Sequence, residues 1–181
     1  MDHPLTLEEV ISFLLQTPLF EDLDPGELAE IVQIMQVQRL RDAQPIFREN
    51  DEGDSWYVIF DGTCVVTKNL AAGGDRVIAL LEPRTCVGEM AVLDGSNRSA
   101  NVIARGETTV FRFQRELFED LLETGSLAAY KLVLAMARVL CQRQRSLTAQ
   151  LSEVRAEPHL NEADDFTRKM RDIVDTYTVS E

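Results

Sequence analysis

Apolar residues fall at 7, 10, 11, 14 and 15 of LEEVISFLLQ, a spacing of three or four that predicts an amphipathic helix near the start of the chain. A second helix is predicted after Asp24. That residue suits an N-cap, Pro25 suits the first helical position, and Glu27 stands three beyond the cap. From residue 37 the period shortens to two. VQRLRDAQPIF, WYVIFDGTCVVTKN and DRVIALLE read as short strands broken by NDEGD, DG and AAGGD, and TTVFRFQ at 108–114 reads as another. Gly62 is placed between two strands, and Gly73-Gly74 at a hairpin tip, where a positive φ is easiest for glycine. Strands at such short intervals, without intervening helices, predict a small barrel or jelly roll and not βαβ units.

The helical period returns at 115. RELFEDLLE predicts one short helix, and the stretch from Ser126 to Glu157 a long one, uninterrupted by glycine or proline until Pro158. Apolar positions 132, 136, 139, 140, 147, 151 and 154 approximate a heptad seam interrupted by Arg143. At some 30 residues this helix outruns a domain of this size, so a homodimer through a two-chain coiled coil is expected. The resulting division is a helical segment over 1–36, a β-roll over 37–125, a long helix over 126–157 and an acidic tail over 158–181 with one further short helix.

Composition narrows the function. The net charge is −13, of which residues 1–114 carry −10. Phosphate contacts dominate nucleic-acid affinity, so an acidic surface argues against direct DNA or RNA binding. MDHPLTLEEV is too acidic and polar for a signal peptide, and no apolar run approaches the roughly 20 residues a membrane span needs. A cytoplasmic protein is expected. Cys64, Cys86 and Cys141 show no CxxC pairing and read as reduced packing residues. Only two histidines occur, His3 and His159, and the strands hold no cluster of metal ligands. There is no GxSxG or Cys–His arrangement, so catalysis and a resident metal or cofactor are not expected.

One stretch carries candidate chemistry: VGEMAVLDGSNRSANV, residues 87–102. Gly88 lets backbone approach closely, Glu89-Met90-Ala91-Val92-Leu93 can form a short helix, and Asp94-Gly95 ends it. Arg98 would return near that helix start and offer a planar fork to two phosphate oxygens, with Ser99 adding a hydroxyl and Ala100 a further N–H. A carboxylate beside an anion site needs a separate purpose, and Glu89 could accept from a sugar hydroxyl. A 3′,5′-cyclic nucleotide has both features, a singly charged phosphate and a free 2′-hydroxyl. On residue types alone, a buried Glu–Arg pair beside a tight turn accounts for the pattern equally well.

The stretch resembles the phosphate-binding cassette of cyclic-nucleotide-binding domains, whose pattern runs roughly F-G-E-[LIM]-A-[LV]-L, then R-[SAT]-A-x-V. It closely resembles the bacterial form found in the catabolite activator protein family. The resemblance extends from about Pro18 to Leu151, through TPLFEDLDPGEL, PIFRENDEGDSWYVIFDGTCVV and FRFQRELFEDLL. It implies a double-stranded β-helix, or jelly roll, with flanking helices and a long C-terminal helix. It also implies that Glu89 binds the ribose 2′-hydroxyl, while Arg98 and Ser99 hold the phosphate with backbone N–H groups of Met90, Ala91 and Ala100. Val66, Ile78 and Ala79 would line the wall facing ribose and base, and the long helix would cap the base and form the dimer seam.

The chain departs from that pattern at several loop positions. Val87 replaces the commoner phenylalanine, Asn97 a proline, Ala43 a turn glycine, and Arg84-Thr85 a Gly-Asp pair. Arg143-Gln144 stands where the bacterial type has Thr-Ser, which leaves base preference open; Arg143 could stack on a purine or bond its edge. The transcription factors of this family continue into a helix-turn-helix domain, whereas some 26 residues follow Arg155 here, too few for two helices and a turn. The expected function is a stand-alone sensor of cAMP, or less readily cGMP, that signals to a partner protein through its C-terminal helices. The alternative is the same fold acting as an interaction scaffold without nucleotide, and a cupin-type metalloenzyme is a third reading.

Overall fold

A computed structural model describes residues 5–156, with the side chains of 150–156 outside the description. His3, His159 and the predicted tail helix within 158–181 therefore lie outside the described residues. Two units are present, the first ending at Ala137 and the second beginning at Arg138.

The helices before the sheet follow from their caps. Helix α1 (Leu7–Leu15) starts at Thr6, whose hydroxyl accepts from the Glu9 N–H while Glu9 returns a bond to the Thr6 N–H. Helix α2 (Pro25–Gln33) repeats that reciprocal arrangement with Asp24 and Glu27, as predicted from the spacing of the two acids. A 3-10 turn at Pro18–Phe20 between them was not anticipated.

Six strands form one antiparallel sheet, curled as a jelly roll: β1 (Met35–Leu40), β2 (Pro45–Phe47), β3 (Ser55–Asn69), β4 (Asp75–Leu81), β5 (Cys86–Val87) and β6 (Asn101–Gln114). The order is β1-β6-β3-β4, with β2 also on β6 and β5 also on β3. Three expectations need correction. VQRLRDAQPIF is two strands, because the backbone turns at Ala43 with φ of 60°. Gly62 does not separate strands. It lies inside the continuous β3 with φ of 86°, where a β-carbon would stand 2.5 Å from the Glu107 carbonyl oxygen, and the pairing with β6 shifts register around it. The last strand begins at Asn101 and not at 108, so it leaves the 87–102 stretch directly.

The first residues of β3, 55–59, are buried on both faces, which explains why WYVI reads as a continuous apolar run and not as a strict alternation. Trp56 and Val58 join Phe111 and Phe113 in a cluster with α1, α2 and the later helices. Tyr57, Ile59 and Cys64 join Val102, Ala104 and Val110 in a second cluster within the roll. Trp56 stacks on Phe113 with centroids 4.0 Å apart and the planes 7° from parallel. Helix α3 (Glu89–Asp94) interrupts the strands, and α4 (Arg115–Glu123) follows them.

Helix α5 (Leu127–Ala156) is the long helix predicted. In the first unit, Lys131 donates to both carboxylate oxygens of Glu27 at 2.7 Å, tying α5 to α2. Leu132 and Met136 are fully buried in the first cluster. The first two positions of the expected dimer seam are therefore occupied within their own chain, because α5 must cover the helical side of the sheet before any second chain can reach it. Leu147, later in the seam, is exposed.

Candidate functional site

The cassette is built around a tight turn. Gly88 caps α3 in the left-handed region with φ of 83°. A β-carbon there would stand 2.7 Å from Arg98 Nη1 and 3.2 Å from the Phe47 ring, so glycine serves both the backbone angle and the close approach of the guanidinium. Gly95, also left-handed at φ of 72°, closes α3 as the Asp-Gly pair predicted. Ser96 donates to Asp94 from its N–H and its hydroxyl, which holds the Asp94 carboxyl below its ordinary pKa.

Glu89 and Arg98 are both buried, at 2% and 3% exposure. Arg98 is held in a cage. Its Nη1 donates to the Gly88 carbonyl at 2.9 Å and its Nη2 to the Ser55 carbonyl at 2.6 Å. Asp54 Oδ1 stands 3.4 Å from Nη2, and the Phe47 ring lies under the guanidinium with 4.3 Å to its centroid. Nε is buried and finds no acceptor among the described residues. Burial lowers the Arg98 pKa from its ordinary value, opposed by Tyr57, Asp54 and Asp51.

The loop from Asn50 to Ser55 braces this cage. Arg98 donates its N–H to the Asp51 carbonyl and accepts from the Asn50 N–H, both at 2.9 Å. Gly53 packs directly on α3 at Ala91. Asp54 uses its second oxygen on Arg112 Nη2 at 2.8 Å, and Arg112 Nε donates to the Ser55 hydroxyl. A hollow of about 500 Å³ borders the same loop at Asp54, Arg112 and Arg115, and none of the predicted ligand residues lines it.

The other predicted residues are distributed as follows. Ala91 is buried, Met90 and Ser99 are exposed at the surface of the cassette, and Ala100 is half-buried where β6 begins. Val66 pairs with Ala79 across β3 and β4. Thr67 then pairs with Val77, which leaves Ile78 as an extra residue, exposed at 56%. Such a bulge relaxes the strict alternation of faces, so neighbours 78 and 79 are not bound to opposite sides. Arg143 belongs to the second unit and is half-buried there.

Several residues of this site were missed in the sequence. Asp54, Ser55 and Phe47 sit 43 or more positions from Arg98, and NDEGDS reads only as a turn. Lys68 looks like a solvated strand residue, yet its Nζ donates to the Ser99 carbonyl at 2.7 Å and pairs with Glu49 at 2.6 Å. Among the described residues no group of three or more His, Cys, Asp or Glu is arranged to hold a metal ion, and no helix is long and apolar enough to cross a membrane.

Comparison with known proteins places this geometry. Residues 37–125 match the family described as "Cyclic nucleotide-binding domain". The chain is 32% identical over 122 residues to the cyclic AMP receptor protein of Thermus thermophilus, covering 67% of this chain and 56% of that protein. It is 29% identical over 112 residues to the cAMP-dependent protein kinase regulatory subunit of Dictyostelium discoideum, covering 60% of this chain and 34% of that one. The chain thus spans less than two thirds of either relative. Its fold superposes on the crystal structure of the Thermus thermophilus catabolite activator protein with a TM-score of 0.67 and 28% identity, over 76% of this chain and 62% of that one. A left-handed glycine, a short helix and a caged arginine inside a jelly roll of this family mean that residues 37–125 are a cyclic nucleotide-binding domain.

Proposed function

We propose that the chain is a regulatory protein that binds a 3′,5′-cyclic nucleotide at the cassette, cAMP in preference to cGMP. Glu89 accepts from the ribose 2′-hydroxyl. Arg98, Ser99 and the N–H groups of Met90, Ala91 and Ala100 take the cyclic phosphate, and Gly88 gives the room. Val66, Ile78 and Ala79 face the ribose and base. Ligand binds one arrangement of the C-terminal helices better than another, and that difference is passed to a partner protein. A homodimer through α5 is part of this reading. The preference for cAMP rests on likeness to the Thermus receptor, whose own name states that ligand.

The observation that carries the proposal is Arg98 Nε, a buried donor without an acceptor at the centre of the cassette. An unsatisfied buried donor costs about 1–3 kcal/mol, and an anion that reaches it removes this cost. Calorimetry with cAMP and with cGMP tests the proposal. Heat with either at micromolar concentration supports it, and its absence with both at high micromolar concentration ends it.

A second reading is favoured by a different observation. Both terminal nitrogens of Arg98 already have protein acceptors, as expected of a scaffold that uses the fold without a ligand. Two of those acceptors are neutral carbonyls, and the Asp54 contact is long and shared with Arg112, so the guanidinium charge is incompletely balanced. The same calorimetry separates the two readings.

A further inference from the structure

The strand that leaves the cassette is fastened on one side by a polar network that the family resemblance does not imply. Lys68 on β3 donates to the Ser99 carbonyl at 2.7 Å and pairs with Glu49 at 2.6 Å. Glu49 also accepts from the Asn69 N–H at 3.0 Å, and together these bonds hold its carboxyl below the ordinary pKa. Asn101 completes the arrangement. Its side-chain oxygen accepts from the Glu49 N–H, and its amide nitrogen donates to Thr67 Oγ1 and Asn69 Oδ1. Asn101 is 6% exposed, and its side chain bonds Glu49, Thr67 and Asn69, the residues around Lys68.

A trans peptide is planar, with the carbonyl of one residue and the N–H of the next pointing in opposite directions. Fixing the Ser99 carbonyl toward Lys68 therefore fixes the Ala100 N–H away from it. Arg98 is tied on the preceding side to Asn50 and Asp51, so the Ser99–Ala100 peptide is held from both ends. We propose that Lys68 is a positioning residue of the nucleotide site, whose bond to the Ser99 carbonyl aims the Ala100 N–H at the cyclic phosphate. Glu49 and Asn101 keep the ammonium and the strand in that relation. The proposal rests on the cassette being a cyclic-nucleotide site.

The test measures cAMP affinity by calorimetry for the full chain and for Lys68→Met, Lys68→Arg and Glu49→Gln, each first checked for an unchanged melting transition. The Ala100 amide proton is followed by NMR in parallel. Lys68→Met should weaken binding roughly tenfold, the lower end for loss of a bond from a charged donor. Lys68→Arg should restore affinity to within about threefold, because a guanidinium can also donate to a carbonyl. The Ala100 amide shift caused by nucleotide should shrink in Lys68→Met and recover in Lys68→Arg. Glu49→Gln, which leaves Lys68 in place without its counter-charge, should lose less affinity than Lys68→Met, in the same direction. Unchanged affinity in Lys68→Met overturns the proposal, as does a loss that leaves the Ala100 shift intact. If the unaltered chain gives no heat with either nucleotide, the site reading itself is wrong and this inference falls with it.

Discussion

A β-carbon added to Gly53 would stand 2.3 Å from the β-carbon of Ala91 and 3.1 Å from the Ser96 carbonyl oxygen. The brace loop and the cassette helix thus touch without space for one methyl group, so their positions are coupled. Gly53→Ala should destabilise the fold by about 1–3 kcal/mol, the usual range for overpacking, and weaken nucleotide binding with it. Ala91→Gly in the same chain should return part of both losses. A double-mutant cycle in melting experiments checks this, and additivity within about 0.5 kcal/mol would show the contact to be slack.

Arg98→Ala should weaken cyclic-nucleotide binding by about 3–5 kcal/mol, the scale for breaking a buried charge interaction. Calorimetry reads this directly. A change of less than about tenfold would place the phosphate elsewhere in the roll.

Trp56 is fully buried between Phe20, Phe113 and Phe118, and its indole N–H has no acceptor among the described residues. Trp56→Ala should cost about 3–5 kcal/mol in denaturant unfolding. Trp56→Phe should cost clearly less, since it keeps an aromatic ring against Phe113 and removes the unsatisfied donor. Equal costs for the two would mean that the ring stack contributes nothing.

Burial pushes the Cys64 thiol up to about 11 from an ordinary 9.0. A raised folded pKa leaves stability intact below 9.0 and removes it as the pH rises from 9.0 toward 11. That loss should reach roughly 3 kcal/mol and vanish in Cys64→Ala. Thiol labelling of the native protein at neutral pH should modify Cys141, which is exposed, well before Cys64 or Cys86. Labelling of all three at one rate would contradict the burial.

The expected homodimer is tested by light scattering. A species at twice the chain mass of 20.4 kDa is the predicted result, and Leu147→Glu should reduce it to one chain. A single chain without that substitution removes the dimer from the functional scheme.

The helices were readable because their caps are local. Thr6 with Glu9 and Asp24 with Glu27 lie three residues apart, within the reach of a sequence pattern. The cassette was readable for the same reason, since Gly88, Glu89 and Arg98 fall within eleven positions. Its surroundings were not. The nearer acceptor for Arg98 Nη2 is the Ser55 carbonyl, which reaches it only because β3 starts beside the cassette turn, and that is a property of the assembled sheet. Strand limits failed where the backbone bends without a break. Gly62 looked like a turn but forms part of a register shift, and Ala43 turns the chain without the glycine that would have marked it.

β3 and β6 give alternate residues to the helical cluster and to the cluster inside the roll. No cut between the two layers leaves either with its own strands. Loss of order on one side must therefore remove the other, and the first unit should unfold as a single cooperative block with its slowest-exchanging amides along the β3–β6 ladder. An amide-exchange experiment would then find the site's floor and the helices' docking surface protected by the same opening event. A substitution among the helices far from the cassette would thus reach the proposed nucleotide site through shared stability, without altering any residue of the cassette.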